Sequence, residues 1–149
     1  MSRPEPKNDD IDANRHKERY MSNKELRYAE THEWARLEDT GTVVMGLSAY
    51  AVEQLGDVVY MELPKVGDTV TKGQALGVVE SVKAAADVYA PVSGTVAAAN
   101  DAIQNDPDIL KRDTYGAGWL VKIDVAGPDE FKTLMDADAY EKLVQSHEE

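Results

Sequence analysis

From Tyr28 onward, apolar and polar positions alternate over short stretches broken by glycine, proline, asparagine and aspartate, the pattern of strands joined by turns. Glu33 to Leu37 and Thr42 to Leu47 flank Glu38-Asp39-Thr40-Gly41 and predict a hairpin. Ser48 is a helix N-cap residue, Tyr50, Ala51 and Leu55 share one face, and Gly56 stops the run, so Ala49 to Leu55 is expected to be a short helix. Further strands are expected over Asp57 to Leu63, Ala75 to Val82, Ala84 to Ala90, Gly94 to Ala99 and Trp119 to Val125, with a loop through Asn105-Asp106-Pro107. Near the end, Pro128 stands where a first helical turn tolerates it, and Tyr140, Leu143 and Val144 form an i, i+3, i+4 stripe. Many short strands at close spacing predict a mainly β fold, a sandwich or flattened barrel with a few peripheral helices.

Residues 1–23 break this pattern. They mix Lys, Arg, Asp, Glu, Asn and Pro with almost no large apolar side chain, so the surface they can bury does not offset the entropy of ordering. A disordered extension over 1–23 and one domain over 24–149 are therefore expected. Both Met1 and Met21 are candidate starts. The extension holds Glu5, Asp9, Asp10, Asp12 and Glu18, whereas a mitochondrial import signal is poor in acids, which favours a bacterial cytoplasmic protein over one of the mitochondrial matrix.

Composition narrows the function classes. One Phe against seven Tyr in a chain of 42% hydrophobic residues puts the core on Val, Leu, Ile and Ala. A net charge of -12, from 28 acidic and 16 basic residues, repels phosphate backbones and anionic lipid, so neither nucleic acid nor membrane is an expected partner. No run of 18 apolar residues exists. With no cysteine, disulfides, thiolate metal sites and cysteine nucleophiles are excluded.

One junction stands apart from this plain pattern. In "VVESVKAAADVYAPVSG", Val78 to Gly94, two alternating runs meet at Val82-Lys83-Ala84, where a short hairpin ordinarily uses Asn-Gly or Asp-Gly. A lysine in a hairpin is ordinarily a solvated charge. Here Gly67 lies 16 residues before Lys83 and Gly94 lies 11 after it, and two glycine turns at those places would frame the hairpin and aim its lysine rigidly outward, as a modifying enzyme requires.

The run "ESVKAAADVYAPVSGTV" resembles the acceptor hairpin of the glycine cleavage system H proteins, a family of lipoyl carriers. "YAETHEWARLE" at Tyr28 to Glu38, "GLSAYAVEQLGDVVYMELPKVGD" at Gly46 to Asp68 and "YGAGWLVKI" at Tyr115 to Ile123 agree with it, in the same order. The resemblance covers Tyr28 to Val144. Biotin acceptors flank their lysine with methionines, where this chain has Val82 and Ala84, and lipoyl domains of 2-oxo acid dehydrogenase complexes place Asp before it, so Val82 argues against both. The chain departs from the family pattern at Thr31, where Ser is common, at Thr114, which replaces a proline, and at the bland Ala97-Ala98-Ala99.

The resemblance implies a hybrid barrel-sandwich fold with short peripheral and C-terminal helices, and lipoic acid in amide linkage to Lys83. It implies a non-catalytic carrier that takes the aminomethyl group of glycine from a glycine decarboxylase to an aminomethyltransferase, and electrons to a dihydrolipoyl dehydrogenase. A lipoylating enzyme is the fourth partner. The polar contacts to the docked arm would come from Thr31, Glu33 and Asp87, the alternative being that the two acids are ordinary surface carboxylates. Glu80, three residues before Lys83, is either read by the lipoylating enzyme or a solvated strand residue. An alternative carrier role is a specialised H-like protein that relays lipoyl groups to other proteins.

Other candidates carry less. His32 beside Glu33 is more readily a structural hydrogen-bonding group than an acid-base catalyst, and His16 and His147 fall in termini expected to be mobile, so no metal cluster is expected. Gly116 and Gly118 precede Trp119 without the Lys-Ser/Thr of a phosphate loop. Trp34 and Trp119 read as core or rim aromatics. The acidic stretch Asp129 to Glu149 either meets a basic surface or faces water.

Overall fold

The computed structural model describes residues 26–148. The expected extension over 1–23 and the choice between Met1 and Met21 lie outside the described residues. The elements run β1 (Leu26–Tyr28), β2 (Glu33–Leu37), β3 (Thr42–Leu47), α1 (Ala49–Leu55), β4 (Val58–Glu62), β5 (Thr69–Val70), β6 (Ala75–Ser81), β7 (Ala85–Tyr89), β8 (Gly94–Ala99), α2 (Asp101–Asn105), α3 (Ile109–Arg112), β9 (Val121–Asp124), α4 (Asp129–Lys132) and α5 (Ala137–Glu148).

All strand pairs are antiparallel. They form a six-stranded sheet in the order β1-β2-β3-β9-β8-β5 and a three-stranded sheet in the order β4-β6-β7. Val58, Met61, Val79 and Val88 of the small sheet share one core with Ala35, Val43, Met45, Val96, Val121 and Ile123 of the large one. The sheets thus form a sandwich, and the short helices add Val52, Ile103, Leu110 and Phe131 to its core. Burial is the main favourable term, at about 25 cal/mol for each Å² of apolar surface removed from water.

The large sheet is buried on both faces where β2 and β3 run. Successive side chains point to opposite sides, so Ala35, Val43 and Met45 enter the main core while Trp34 and Val44 enter a second one with Leu26, Tyr28 and Tyr140. The C-terminal helix covers this second core. Its predicted stripe is the contact: Tyr140 is buried, Leu143 and Val144 pack beside it, and the Tyr28 and Tyr140 rings stack at 4.2 Å with a 4° interplanar angle.

The β2–β3 hairpin has the expected ends, with Gly41 at φ +82° in its turn. So does α1: Ser48 Oγ accepts the Ala51 N–H at 3.2 Å, and Gly56 ends the helix at φ +79°. The expected loop through Asn105-Asp106-Pro107 instead lies between two helices of one turn each, α2 and α3, which bury Ile103 and Leu110. Helices that short repeat no periodicity for a sequence to display. The two-residue β5 escaped the pattern for the same reason.

Gly94 corrects one expectation. Gly67 turns the chain at φ +95°, but Gly94 is not a turn residue: it opens β8 opposite Val70. A Cβ there would stand 2.1 Å from the Asp124 carbonyl oxygen, so the position demands smallness, not a left-handed φ.

Candidate functional site

The β6–β7 hairpin ends at the pair Glu80 and Ala85, and Ser81 to Ala84 close it. Ser81 N–H donates to the Ala84 carbonyl at 2.7 Å. The Ser81 hydroxyl accepts from the backbone N–H of Lys83 at 3.3 Å and of Ala84 at 3.1 Å, and donates to the Ala84 carbonyl at 3.2 Å. One hydrogen and two lone pairs satisfy all three. Val82 N–H reaches outside the hairpin to the Asp57 carbonyl at 3.0 Å. Neither Val82 nor Lys83 has positive φ. Asn-Gly is dispensable because a serine side chain, rather than left-handed backbone, organises the turn.

Lys83 stands exposed at this tip. Its stem runs past Gly56, where a Cβ would stand 3.9 Å from Lys83 Cε. Beside it Asp57, whose carbonyl holds Val82, makes an exposed ion pair with Lys111 through its carboxylate. The framing that the two glycines were expected to provide comes instead from Ser81 and the Asp57 carbonyl.

Glu80 and Asp87 both lie exposed on the outer face of the small sheet. Tyr60, Glu80 and Ala85 form one cross-strand row, and Glu62, Val78 and Asp87 another. Asp87 is four residues along the chain from Lys83, a span of at most about 13 Å that a group tethered to Lys83 must cover to reach it.

Glu33 is not a surface acid. It is 1% exposed, and its carboxylate accepts the Thr31 hydroxyl on one oxygen and the Tyr89 N–H at 3.0 Å on the other. Desolvation by burial pushes its pKa from 4.5 up to about 7, against the opposing pull of those bonds. The bond to Tyr89 also ties the last residue of β7 to the first of β2, linking the two sheets. Thr31 and Glu33 therefore act as one unit beside Tyr89, at the end of β7 away from Lys83. A cleft of about 380 Å³, whose lining includes Thr31, Tyr89, Ala90, Leu134 and Met135, opens next to them. Its walls come from four separate stretches, so no local pattern announces it.

His32 has a structural role: its Nδ1 lies 2.7 Å from the Tyr140 hydroxyl, which also lies 2.6 Å from Ser48 Oγ. Burial and the neighbouring His147 lower its pKa. His147, expected in a mobile terminus, sits on α5 with its ring centroid 5.4 Å from that of His32. Among the described residues no group of three His, Cys, Asp or Glu is placed to hold a metal ion. Trp34 is fully buried, and Trp119 is half-buried under the Lys122 ammonium, 4.8 Å from its ring. Among the described residues no helix is long and apolar enough to cross a membrane.

Comparisons with known proteins agree with this geometry. The family model "Glycine cleavage H-protein" matches residues 26–147. A glycine cleavage system H protein of Psychrobacter sp. (strain PRwf-1) is 51% identical over 123 residues, covering 81% of this chain and 98% of that one. One of Synechococcus sp. (strain RCC307) is 52% identical over 121 residues, covering 81% and 92%. The crystal structure of a glycine cleavage system H protein from Mycobacterium marinum superposes with a TM-score of 0.70 at 38% identity, covering 78% of this chain and 94% of that one. On fold, on matched length and on identity, the chain belongs to the glycine cleavage H-protein family.

Proposed function

We propose that this protein is the lipoyl carrier of a glycine cleavage system, shuttling the aminomethyl group of glycine from the decarboxylase to the aminomethyltransferase and electrons to the dihydrolipoyl dehydrogenase. The observation that carries the reading is Lys83: an exposed amine at a hairpin tip whose backbone is held by Ser81 and by the Asp57 carbonyl. Lipoic acid, amide-linked there by a lipoylating enzyme, supplies a dithiolane at the end of a flexible arm. The chain's own part is to present, tether and shelter. Tethering keeps the cargo near each docked enzyme at an effective concentration in roughly the millimolar range.

Glu33 and Thr31 suit the sheltering task. A cationic amine carried on the arm would draw Glu33 toward its ionised form, and the Thr31 hydroxyl and Tyr89 N–H already stand ready to stabilise that charge. Asp87, exposed along the path, supplies a second carboxylate. A charged hydrogen bond of this kind is worth about 1.5–3 kcal/mol, enough to park the arm without trapping it.

Protein made with an active lipoylating enzyme and lipoate should gain about 188 Da on Lys83, and Lys83→Arg should gain nothing. A glycine–bicarbonate exchange assay reconstituted with the decarboxylase should then depend on that modification. An unmodified Lys83 under those conditions overturns the reading.

A further inference from the structure

Among the described residues His32 is the one residue other than glycine with positive φ, at +80°. It stands in the turn that joins β1 to β2. Past the last ladder pair, Tyr28 and Trp34, the Ala29 N–H donates to the Glu33 carbonyl and the His32 N–H to the Ala29 carbonyl, both at 2.9 Å, leaving Glu30, Thr31 and His32 as a three-residue loop. In a loop of this form the third position is left-handed and ordinarily glycine, which takes that backbone without strain. A histidine there carries strain that its contacts must offset. Its ring makes those contacts. Nδ1 lies 2.7 Å from the Tyr140 hydroxyl of α5, and the ring packs at centroid distances of 4.9 Å on Tyr50 of α1 and 5.4 Å on His147 of α5. The His32 carbonyl accepts the Ser48 N–H at 2.9 Å, at the cap of α1. The residue between Thr31 and Glu33 is thus anchored to two helices, by side chain and by backbone.

We propose that His32 is a positioning residue: held by the Tyr140 hydroxyl in a left-handed turn, it sets the Thr31 hydroxyl and the Glu33 carboxylate against each other beside the cleft. The proposal rests on the carrier reading above, in which that pair receives the cationic amine. Thr31 is exposed, so packing does little to fix its hydroxyl and the backbone of the turn must aim it. Glu33, two residues on, is held on its other oxygen by the Tyr89 N–H. The direction the chain takes at His32 therefore decides whether hydroxyl and carboxylate meet. Glycine at this position would keep the form of the loop but lose the link to α5, leaving the turn free to rock. The Tyr140 hydroxyl is also close enough to Glu33 for the carboxylate charge to help raise its pKa. Among the described residues, the titratable groups whose rings meet that of His32 are Tyr50, Tyr140 and His147, none of them anionic near neutral pH. A hydrogen bond and packing, rather than an ion pair, hold the ring.

The test follows the Glu33 carboxyl by carbon-13 NMR in the full, unmodified chain. His32→Gly removes the ring and the strain together, so it is the variant least able to disturb folding. In it the Glu33 pKa should fall from about 7 by about one pH unit or more, because a loosened turn admits water to a carboxylate whose burial holds its pKa up. Tyr140→Phe should move it the same way, and the double variant no further than the larger single change, since both cut one bond. In carrier lipoylated and then loaded by the decarboxylase with glycine, the thio-bound aminomethyl cation breaks down with water to thiol, formaldehyde and ammonium. That loss should run about five- to tenfold faster in both variants, the worth of one hydrogen bond. Ile103→Ala, a truncation in the main core and outside the cluster around Tyr140, should lower the melting temperature and leave titration and loss unchanged. A Glu33 titration or a loss rate unchanged in His32→Gly overturns the proposal. So does an equal change in Ile103→Ala, which would reduce His32 to a stabilising contact. Failure of wild-type protein to be lipoylated at all instead removes the carrier reading, while the titration still decides whether His32 sets the pair.

Discussion

Ser81 Oγ lies 3.3 Å from the backbone nitrogen of Lys83 and accepts its hydrogen, so the residue that presents the amine takes its backbone direction from a neighbouring hydroxyl. Ser81→Ala deletes this bond, the one from Ala84 N–H and the one to the Ala84 carbonyl. At about 1 kcal/mol each in net terms, reduced by partial access of water, a loss of roughly 1–2 kcal/mol is expected. Urea unfolding measures it. Slower amide exchange at Lys83 and Ala84 in wild type than in the variant would locate the loss at the tip, and equal exchange would refute it.

Glu33 makes stability depend on pH. Its folded-state pKa of about 7 is above the 4.5 of the free side chain, so between those values the folded chain keeps a proton that the unfolded chain has released. Stability from this group is therefore full below about pH 4.5 and is lost as pH rises through about 7, by an amount on the order of 3 kcal/mol. Glu33→Gln should abolish this slope and gain on wild type as pH rises. Parallel unfolding profiles at pH 4.5, 6 and 8 would contradict it.

The Tyr140 hydroxyl is shared by His32 and Ser48. Burial pushes its pKa up to about 12, so it stays protonated through the working range and donates to one partner while accepting from the other. Tyr140→Phe leaves the buried Ser48 hydroxyl short of a partner and should cost about 1–3 kcal/mol. Thermal unfolding reports the total. Comparison with His32→Asn, which keeps a residue type tolerant of the φ of 80°, separates the two bonds.

Gly94→Ala should be severe, because the new Cβ would meet the Asp124 carbonyl oxygen at 2.1 Å and the Ile123 side chain at 2.7 Å, and strands β8 and β9 must part to admit it. A loss above about 3 kcal/mol is expected, from overpacking together with broken sheet pairing. Gly67→Ala, with open space around its Cβ, should cost only the strain of φ +95°. Equal unfolding midpoints for the two variants would count against the distinction.

Sequence patterning reached the β2–β3 hairpin and α1 with correct ends because each is bounded by its own chemistry: Gly41 in the turn, Ser48 and Gly56 at the helix caps. It reached Lys83 because the junction departs from ordinary turn residues. It did not reach what holds that junction, since the Asp57 carbonyl is remote from Val82 in the chain and any residue type could supply it. Glu33 was legible only as an acid in a strand. Its burial depends on β7 arriving opposite β2, and a carboxylate that terminates a sheet edge leaves no periodic trace. His147 is expected in a mobile terminus because nothing near it in sequence foretells that α5 brings its ring against His32, just before β2.

The tip that carries Lys83 needs no glycine, no proline and no particular side chain at 82, 83 or 84 to keep its shape; one hydroxyl at its base and one borrowed carbonyl suffice. A platform built this way is portable. Grafted onto another antiparallel pair with a serine at the same place and an acceptor oxygen alongside, it should display whatever residue is set at its apex, while recognition is left free to be rewritten around it.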